Sequence, residues 1–222
     1  MFFEKAVEYK LLNMIQSLQK EDLFKSYILA GGTALALQLG HRISTDIDLL
    51  TDKEQNNKLL LDYFQEKYGY YDVGSIQKNI LRIMVNGIKI DLVKISNNTI
   101  EAPCNENGVV FYGKKDIAAM KLRAIMLRTY NRDFIDIAYL MKEYSLDDMF
   151  DFYKKKYGSL DIAVVKCALL KCNDIKDWNE DIKMIKSDMQ LENIPFLIEH
   201  ELRKSNDKKD IGIRNIFKLK KR

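Results

Sequence analysis

Residues 30–50 read AGGTALALQLGHRISTDIDLL, and this stretch is the most informative about the structure of the chain. The apolar run 27–30 before it predicts a buried strand, and Gly31 and Gly32 let the backbone turn tightly beside a bulky anion. Thr33 begins a predicted helix over 33–39, whose first N–H groups are suited to face a triphosphate. Asp46 and Asp48 lie in a predicted strand over 46–50, where a period of two places both carboxylates on one face.

Two carboxylates beside a phosphate cradle are the oxygen ligands with which Mg²⁺ bridges a protein and a nucleotide. Each part alone has an ordinary interpretation, because a lone Asp-x-Asp is common on the wet face of an edge strand and Gly-Gly is common in turns. The gap from Gly32 to Asp46 fits one short helix and a returning strand. This order and separation favour a nucleotide site.

The same stretch resembles the opening motif of the AbiEii/AbiGii abortive-infection toxins, which belong to the DNA polymerase β-like nucleotidyltransferase superfamily. The matching positions are Gly31, Gly32, Thr33, Ala34, Leu35, Gly40, His41, Arg42, Ser44, Asp46, Ile47, Asp48 and Leu49. The resemblance implies an α+β fold with a mixed, partly antiparallel sheet flanked by helices. It further implies a Mg²⁺ (or Mn²⁺) ion on Asp46 and Asp48, and NTP binding by Gly31, Gly32, Thr33, Arg42 and Ser44.

The rest of the chain predicts an α/β half followed by a helical half. We expect a nucleotidyltransferase core over 1–112 and an α-helical domain over 113–222. Helices are predicted over 2–20, 54–68, 114–128, 131–143, 146–157, 160–172, 176–187 and 193–204, and strands over 70–76, 80–85, 88–95 and 109–112. Asn86-Gly87 is a strong two-residue hairpin signal, whereas 103–108 is predicted to be a loop.

Four further positions, Asp91, Lys121, Arg132 and Asp133, are candidates for the site. Asp91 lies in an apolar strand, and the resemblance implies that it is a third carboxylate on a strand next to that of Asp46 and Asp48, acting as general base or completing a second metal site. The alternative is an edge-strand residue on a wet face. Lys121 resembles the lysine of the family's second motif, which implies that it neutralises phosphate charge; the alternative is a surface lysine.

The family's closing motif resembles the segment from Arg128 to Asp136. It implies that Asp133 belongs to the active site, positioning the lysine or the base, and that Arg132 binds nucleotide. The alternative for Asp133 is a helix-capping role, with Asn131 as a second cap. Where the family has a basic residue close to the aspartates, this chain has Tyr130.

Composition narrows the setting of this chemistry. With 47% hydrophobic and 31% charged residues the chain is typical of a globular protein, and no apolar run approaches the length of a membrane span. Three cysteines without metal-ligand spacing suit a reducing compartment, so we expect a cytoplasmic protein. Residues 203–222 carry nine basic and two acidic residues, which suits either contact with RNA or a solvated terminus.

The resemblance implies a nucleotidyltransferase toxin of a toxin–antitoxin system. It would transfer NMP from an NTP to an RNA acceptor, expected to be the 3′ end of tRNA, and a cognate antitoxin would be its partner. Two alternatives stay open: a nucleotidyltransferase that modifies a small hydroxylated metabolite or antibiotic, and a non-enzymatic module that binds nucleotide or RNA.

Overall fold

A computed structural model describes residues 2–69, 71–96, 98–158 and 162–205. They form two compact units. The first comprises Met1–Ile117 and a returning segment, Asp181–Ser187, and the second comprises Ala118–Glu180 and the described residues from Asp188 onward. The predicted basic tail lies outside the described residues beyond position 205, and the predicted boundary at residue 113 stays a prediction.

The first unit is an α/β structure. After a 3₁₀ turn, its elements in chain order are α1 (Tyr9–Lys20), β1 (Ile28–Leu29), α2 (Gly31–Leu39), β2 (Asp46–Thr51), α3 (Asn57–Tyr68), β3 (Asp72–Gln77), β4 (Ile80–Val85), β5 (Ile88–Lys94), β6 (Cys104–Glu106) and β7 (Val109–Phe111).

All seven strands form one mixed sheet in the order β3-β4-β5-β2-β1-β7-β6. The β2–β5 and β1–β7 pairs are parallel, and the other neighbours are antiparallel. Burial alternates along β2, where Ile47 and Leu49 are fully buried while the aspartates between them are partly exposed. Each buried aliphatic side chain stabilises the fold by about 1.5–3 kcal/mol, so a one-residue slip of this strand would be costly. The inner face therefore fixes the direction in which both aspartates point.

The second unit is helical. Helix α4 (Lys114–Leu127) begins in the first unit and is followed by α5 (Asn131–Leu140), α6 (Leu146–Tyr157), α7 (Ile162–Leu170) and α8 over 194–205. A capping box fixes the start of α6, since Ser145 accepts a hydrogen bond from the backbone N–H of Asp148 and the Asp148 carboxylate accepts one in return. The predicted α+β class, with a helical second half, is confirmed.

Three predicted elements differ from the structure. The first helix begins at Tyr9 rather than at residue 2, because Val7 forms a β-bridge to Ser44. Residues 104–106, predicted as loop, form β6, and Asn107-Gly108 turn the chain with positive φ.

The third difference is functionally relevant. Residues 176–187, predicted as a helix, are irregular because their backbone hydrogen-bonds elsewhere. Met184 forms a β-bridge to Arg42, the Lys183 carbonyl accepts the Ile43 N–H at 2.8 Å, and the His41 carbonyl accepts the Ile185 N–H at 2.9 Å.

Candidate nucleotide site

The corner between β1 and α2 places Gly31 against a carboxylate. Gly31 has φ +66°, and a Cβ added there would lie 2.8 Å from Cγ of Asp48 and nearer still to its Oδ2. The Ala30 N–H donates to the Asp48 carbonyl at 2.8 Å, which fixes the strand against this turn. Since an L side chain is disfavoured both by φ and by the carboxylate, only glycine fits here. The start of α2, with its unsatisfied N–H groups, thus lies beside Asp48.

A second loop lines the same corner. The Arg42 guanidinium lies over Gly32, where an added Cβ would be 3.4 Å from Cζ and closer to Nη2. Arg42 is buried, and its Nη1 donates to the Ile43 carbonyl at 3.1 Å. Thr33 Oγ1 is 2.9 Å from Ser44 Oγ and also hydrogen-bonds the Asp46 carbonyl. A buried cation and two hydroxyls next to a helix start form a surface suited to an anionic group.

The carboxylates form a row across the exposed face of the sheet. Asp46 and Asp48 project from the same face of β2, and Asp91 on β5 lies directly opposite Asp48 in the parallel register. Because β5 lies between β4 and β2, the alternative of an edge-strand Asp91 is wrong.

Two cations flank Asp91 on this face. Arg82 is its cross-strand partner on β4 and donates from Nε to Oδ2 at 3.2 Å, while Lys89 Nζ lies 3.6 Å from the same oxygen. Within the described part of the chain, the other oxygen of Asp91, Oδ1, is buried and accepts no hydrogen bond. A buried carboxylate oxygen without a donor is costly, so its retention suits a site that binds a ligand.

A divalent cation fits this donor set. Throughout the described residues, no group of three or more His, Cys, Asp or Glu side chains is arranged to hold a metal ion. Mg²⁺ in nucleotide enzymes, however, commonly binds through one or two carboxylates and completes its coordination with water and substrate phosphates. Asp46 and Asp48 supply hard oxygens of the required kind, beside the glycine corner where phosphates would lie.

In the second unit, Lys121 is buried in an ion cluster. Its Nζ lies 2.8 Å from Oδ1 of Asp133 and 2.5 Å from Oδ2 of Asp136, and both carboxylates are fully buried. Arg128 donates to Asp133 from Nε at 2.7 Å and from Nη2 at 3.2 Å. Burial raises the pKa of Asp133, but the charges and hydrogen bonds of Lys121 and Arg128 outweigh it and hold the pKa below its ordinary value.

This cluster excludes one alternative and qualifies another, since Asp133 lies in the first turn of α5, where its charge suits the helix dipole, but is not the N-cap. Lys121 is not a surface lysine. The carboxylate of Asp133 contacts Lys121 and Arg128, and the residue at the N-cap of α5 is Tyr130, without a side-chain cap. Asn131, expected as a cap, is instead the first residue of the helix, and its amide donates to three backbone carbonyls.

The structure thus divides the predicted site residues between the units. The first unit brings together Gly31, Gly32, Thr33, Arg42, Ser44, Asp46, Asp48 and Asp91, and the second contains Lys121, Arg132 and Asp133. Sequence reasoning missed Arg82 and Lys89, and it placed Asp136 in the closing motif without assigning it to the site. The register of the Asn86-Gly87 hairpin would have revealed Arg82, since a two-residue turn that pairs Val85 with Ile88 places Arg82 opposite Asp91.

The sequence matches the family model described as nucleotidyl transferase AbiEii toxin, type IV TA system, over residues 14–204. The chain belongs to the AbiEii nucleotidyltransferase toxin family. The predicted resemblance is therefore confirmed, and this AbiEii chain is a nucleotidyltransferase. Membership implies an NTP substrate and an antitoxin partner, and it rules out the non-enzymatic alternative.

The chain is also similar to individual proteins. Protein aq_aa25 of Aquifex aeolicus (strain VF5), described as uncharacterized, is 31% identical over 160 residues, covering 68% of the AbiEii chain and 76% of the relative. Among solved structures, JHP933 from Helicobacter pylori is similar in fold, with a TM-score of 0.52, 18% identity and coverage of 99% and 100% of the two chains. The antibiotic-resistance factor ANT(2'')-Ia matches at a TM-score of 0.51 and 14% identity, over 69% of this chain and 91% of that one.

No helix within the described residues is both long and apolar enough to cross a membrane.

Proposed function

We propose that this AbiEii enzyme transfers NMP from an NTP to a hydroxyl of an RNA acceptor, expected to be the 3′ end of tRNA, with Mg²⁺ or Mn²⁺ as the cofactor. The support for a phosphate-bearing acceptor is the pair of cations, Arg82 and Lys89, beside the carboxylate row. Both side chains are almost half exposed, at 46% and 42%, whereas the Asp91 side chain is only 13% exposed. The exposed ends of these two side chains would attract a nucleic-acid backbone, while a divalent cation would offset the negative charge of the neighbouring carboxylates.

The residues of the first unit have separate roles in this proposal. The glycine corner and Arg42 would hold the triphosphate, because the start of α2 and a buried guanidinium favour negative charge. Asp46 and Asp48 would hold the divalent cation, whose positive charge would stabilise negative charge on the phosphates. Charge neutralisation and positioning provide most of the catalysis in transfers of this class.

Asp91 is the proposed general base. Its carboxylate, which Arg82 holds through Oδ2, would take the proton of the acceptor hydroxyl. The hydroxyl oxygen bonds to the α-phosphorus as the bond from that phosphorus to the bridging oxygen breaks. Pyrophosphate leaves with the electron pair.

In the second unit, Asp133 is proposed to position Lys121, supported by their 2.8 Å contact. Arg132 remains a proposed nucleotide-binding residue. Both assignments are carried over from the family resemblance.

The test is a labelling experiment with purified protein, Mg²⁺, each α-³²P NTP in turn and total cellular RNA, resolved on a denaturing gel. We expect label on a tRNA-sized band with wild type and none with Asp48→Asn, which keeps the shape of the side chain and removes its charge. The matched control is Asp52→Asn, an exposed aspartate just beyond the same strand that should label as wild type does. Circular dichroism would show that both variants are folded.

Two results would refute the RNA proposal. Equal labelling by Asp48→Asn would remove the aspartate pair from catalysis. Label transferred to a small hydroxylated compound, with none on RNA for any NTP, would establish the metabolite alternative instead.

A substitution of Arg82 distinguishes binding of the RNA acceptor from binding of the NTP. Arg82→Gln should raise the KM for RNA and reduce its salt dependence, while the KM for NTP changes little. An equal rise in both KM values would contradict the assignment of Arg82 to the acceptor.

A further inference from the structure

The turn between α4 and α5 exposes an aromatic ring that two arginines contact. Tyr130 is 50% exposed, and the guanidinium carbons of Arg128 and Arg132 lie 5.2 Å and 5.4 Å from its ring centroid. At these distances the arginines interact with the ring as cation–π partners. Half of the tyrosine surface nevertheless remains open to solvent, and we call this group the Tyr130 platform.

The platform is held in place on both sides. Arg128 donates to the fully buried Asp133 from two nitrogens, at 2.7 Å and 3.2 Å, so its guanidinium has a fixed position. On the other side, the Asn131 side-chain amide donates to the Glu180 carbonyl at 2.9 Å and to two neighbouring carbonyls at 3.4 Å. A ring supported in this way loses little conformational freedom when a ligand stacks on it, which favours binding.

Proteins bind unpaired nucleobases with exposed aromatic rings and neighbouring guanidinium groups. The base stacks on the ring or on an arginine plane, while the cations compensate the adjoining phosphates. The family resemblance leads us to expect a basic residue at this point of the motif, so the aromatic ring is a feature of this chain itself.

We propose that the Tyr130 platform binds a nucleobase by stacking. This inference rests on the proposed nucleotidyl transfer in one respect only, namely that the two sources of a base are the incoming NTP and an unpaired base of the RNA acceptor. Stacking on one aromatic residue changes affinity about fivefold to about a hundredfold.

The experiment measures binding without catalysis. Affinities of wild type, Tyr130→Ala and Tyr130→Phe are determined by calorimetry for each NTP and for inorganic tripolyphosphate, which has no base. Fluorescence anisotropy with a short single-stranded RNA measures the affinity for the acceptor. Tyr9→Ala is the matched control, since Tyr9 is 79% exposed and belongs to the first unit.

We expect Tyr130→Ala to weaken binding of an NTP or of the RNA at least about fivefold, with tripolyphosphate binding unchanged and Tyr130→Phe close to wild type. The probe that is weakened identifies the source of the base. The proposal is overturned if Tyr130→Ala binds both base-containing probes as wild type does, if tripolyphosphate weakens equally, or if Tyr9→Ala has the same effect.

Failure of this inference is distinguishable from failure of the proposed function, because no transfer step is measured. Loss of base binding in Tyr130→Ala would support the platform even if no RNA became labelled in the transfer assay. The fluorescence of the buried Trp178, whose carbonyl accepts from Asn131, shows whether the variant is folded around the turn.

Discussion

Replacing Lys121 with methionine should destabilise the second unit by about 3–5 kcal/mol at neutral pH. The ammonium lies 2.8 Å from Asp133 and 2.5 Å from Asp136, and both carboxylates are fully buried, so the variant keeps two buried negative charges without the central cation. Asp133 keeps its ion pair with Arg128 at 2.7 Å. The lost free energy of unfolding should therefore be that of one broken buried ion pair. Methionine preserves most of the side-chain volume, so a packing defect contributes little.

The assay is urea unfolding followed by tryptophan fluorescence. Trp178 is the single tryptophan of the chain and is buried in the second unit, so its signal reports the unit that contains the cluster. The control is Lys154→Met, which removes an exposed pair with Asp151 at 3.1 Å and should cost less than about 1 kcal/mol.

The stability deficit of Lys121→Met should depend on pH. The folded-state pKa of Asp133 lies below its ordinary value of 3.8, so in wild type its contribution is present above that value and is lost as the pH falls through the folded pKa. Without Lys121, the pKa-raising effect of burial is opposed by Arg128 alone, and the variant therefore loses less stability on acidification. The deficit should narrow as the pH falls below 3.8.

Two results would refute this account of the cluster. A Lys121→Met variant as stable at pH 7 as Lys154→Met would show that the buried charges are not energetically coupled. A large deficit that is independent of pH would locate the loss in packing rather than in charge.

Three further predictions concern the turn, a helix start and a thiol. Gly31→Ala should lower both the melting temperature and the transfer activity, because it adds a clash with Asp48 to the roughly 1–2 kcal/mol cost of positive φ. The control Gly69→Ala, at φ +74° in open space, should show only the cost of positive φ. Ser145→Ala should cost about 1 kcal/mol in urea unfolding, since it removes the capping box of α6. Burial raises the pKa of Cys172 to about 11, so Ellman's reagent at pH 8 should titrate the two exposed cysteines in native protein and the third only after denaturation.

Much of the first unit could be predicted because its signals are local. Gly31 and the Asp46–Asp48 spacing carry their geometry in the immediate sequence, and the Asn86-Gly87 turn fixes the register of β4 with β5. The loop predicted at 103–108 contains the same kind of turn signal in Asn107-Gly108. The flanking strands are only three residues long, which is too short for an alternating pattern to indicate them.

What could not be predicted depends on contacts distant in sequence. The parallel pairing that sets Asp91 beside Asp48 joins strands separated by α3 and a hairpin, and no local pattern specifies it. The ion cluster of Lys121 likewise requires the packing of α4 against α5 to be known. Residues 176–187 have a composition compatible with a helix, and the tertiary bonds to Arg42 and its neighbours override that preference.

The return of Asp181–Ser187 to the first unit has a consequence for the order in which the protein is made. The ribosome synthesises Arg42 early, but the backbone partners of its loop, at Lys183 and Met184, emerge only after α4 to α7 have been translated. A nascent chain therefore carries the glycines and aspartates of the site long before the loop that supports Arg42 is complete. For a member of a toxin family, assembly of the nucleotide site is thereby deferred until most of the polypeptide has left the ribosome.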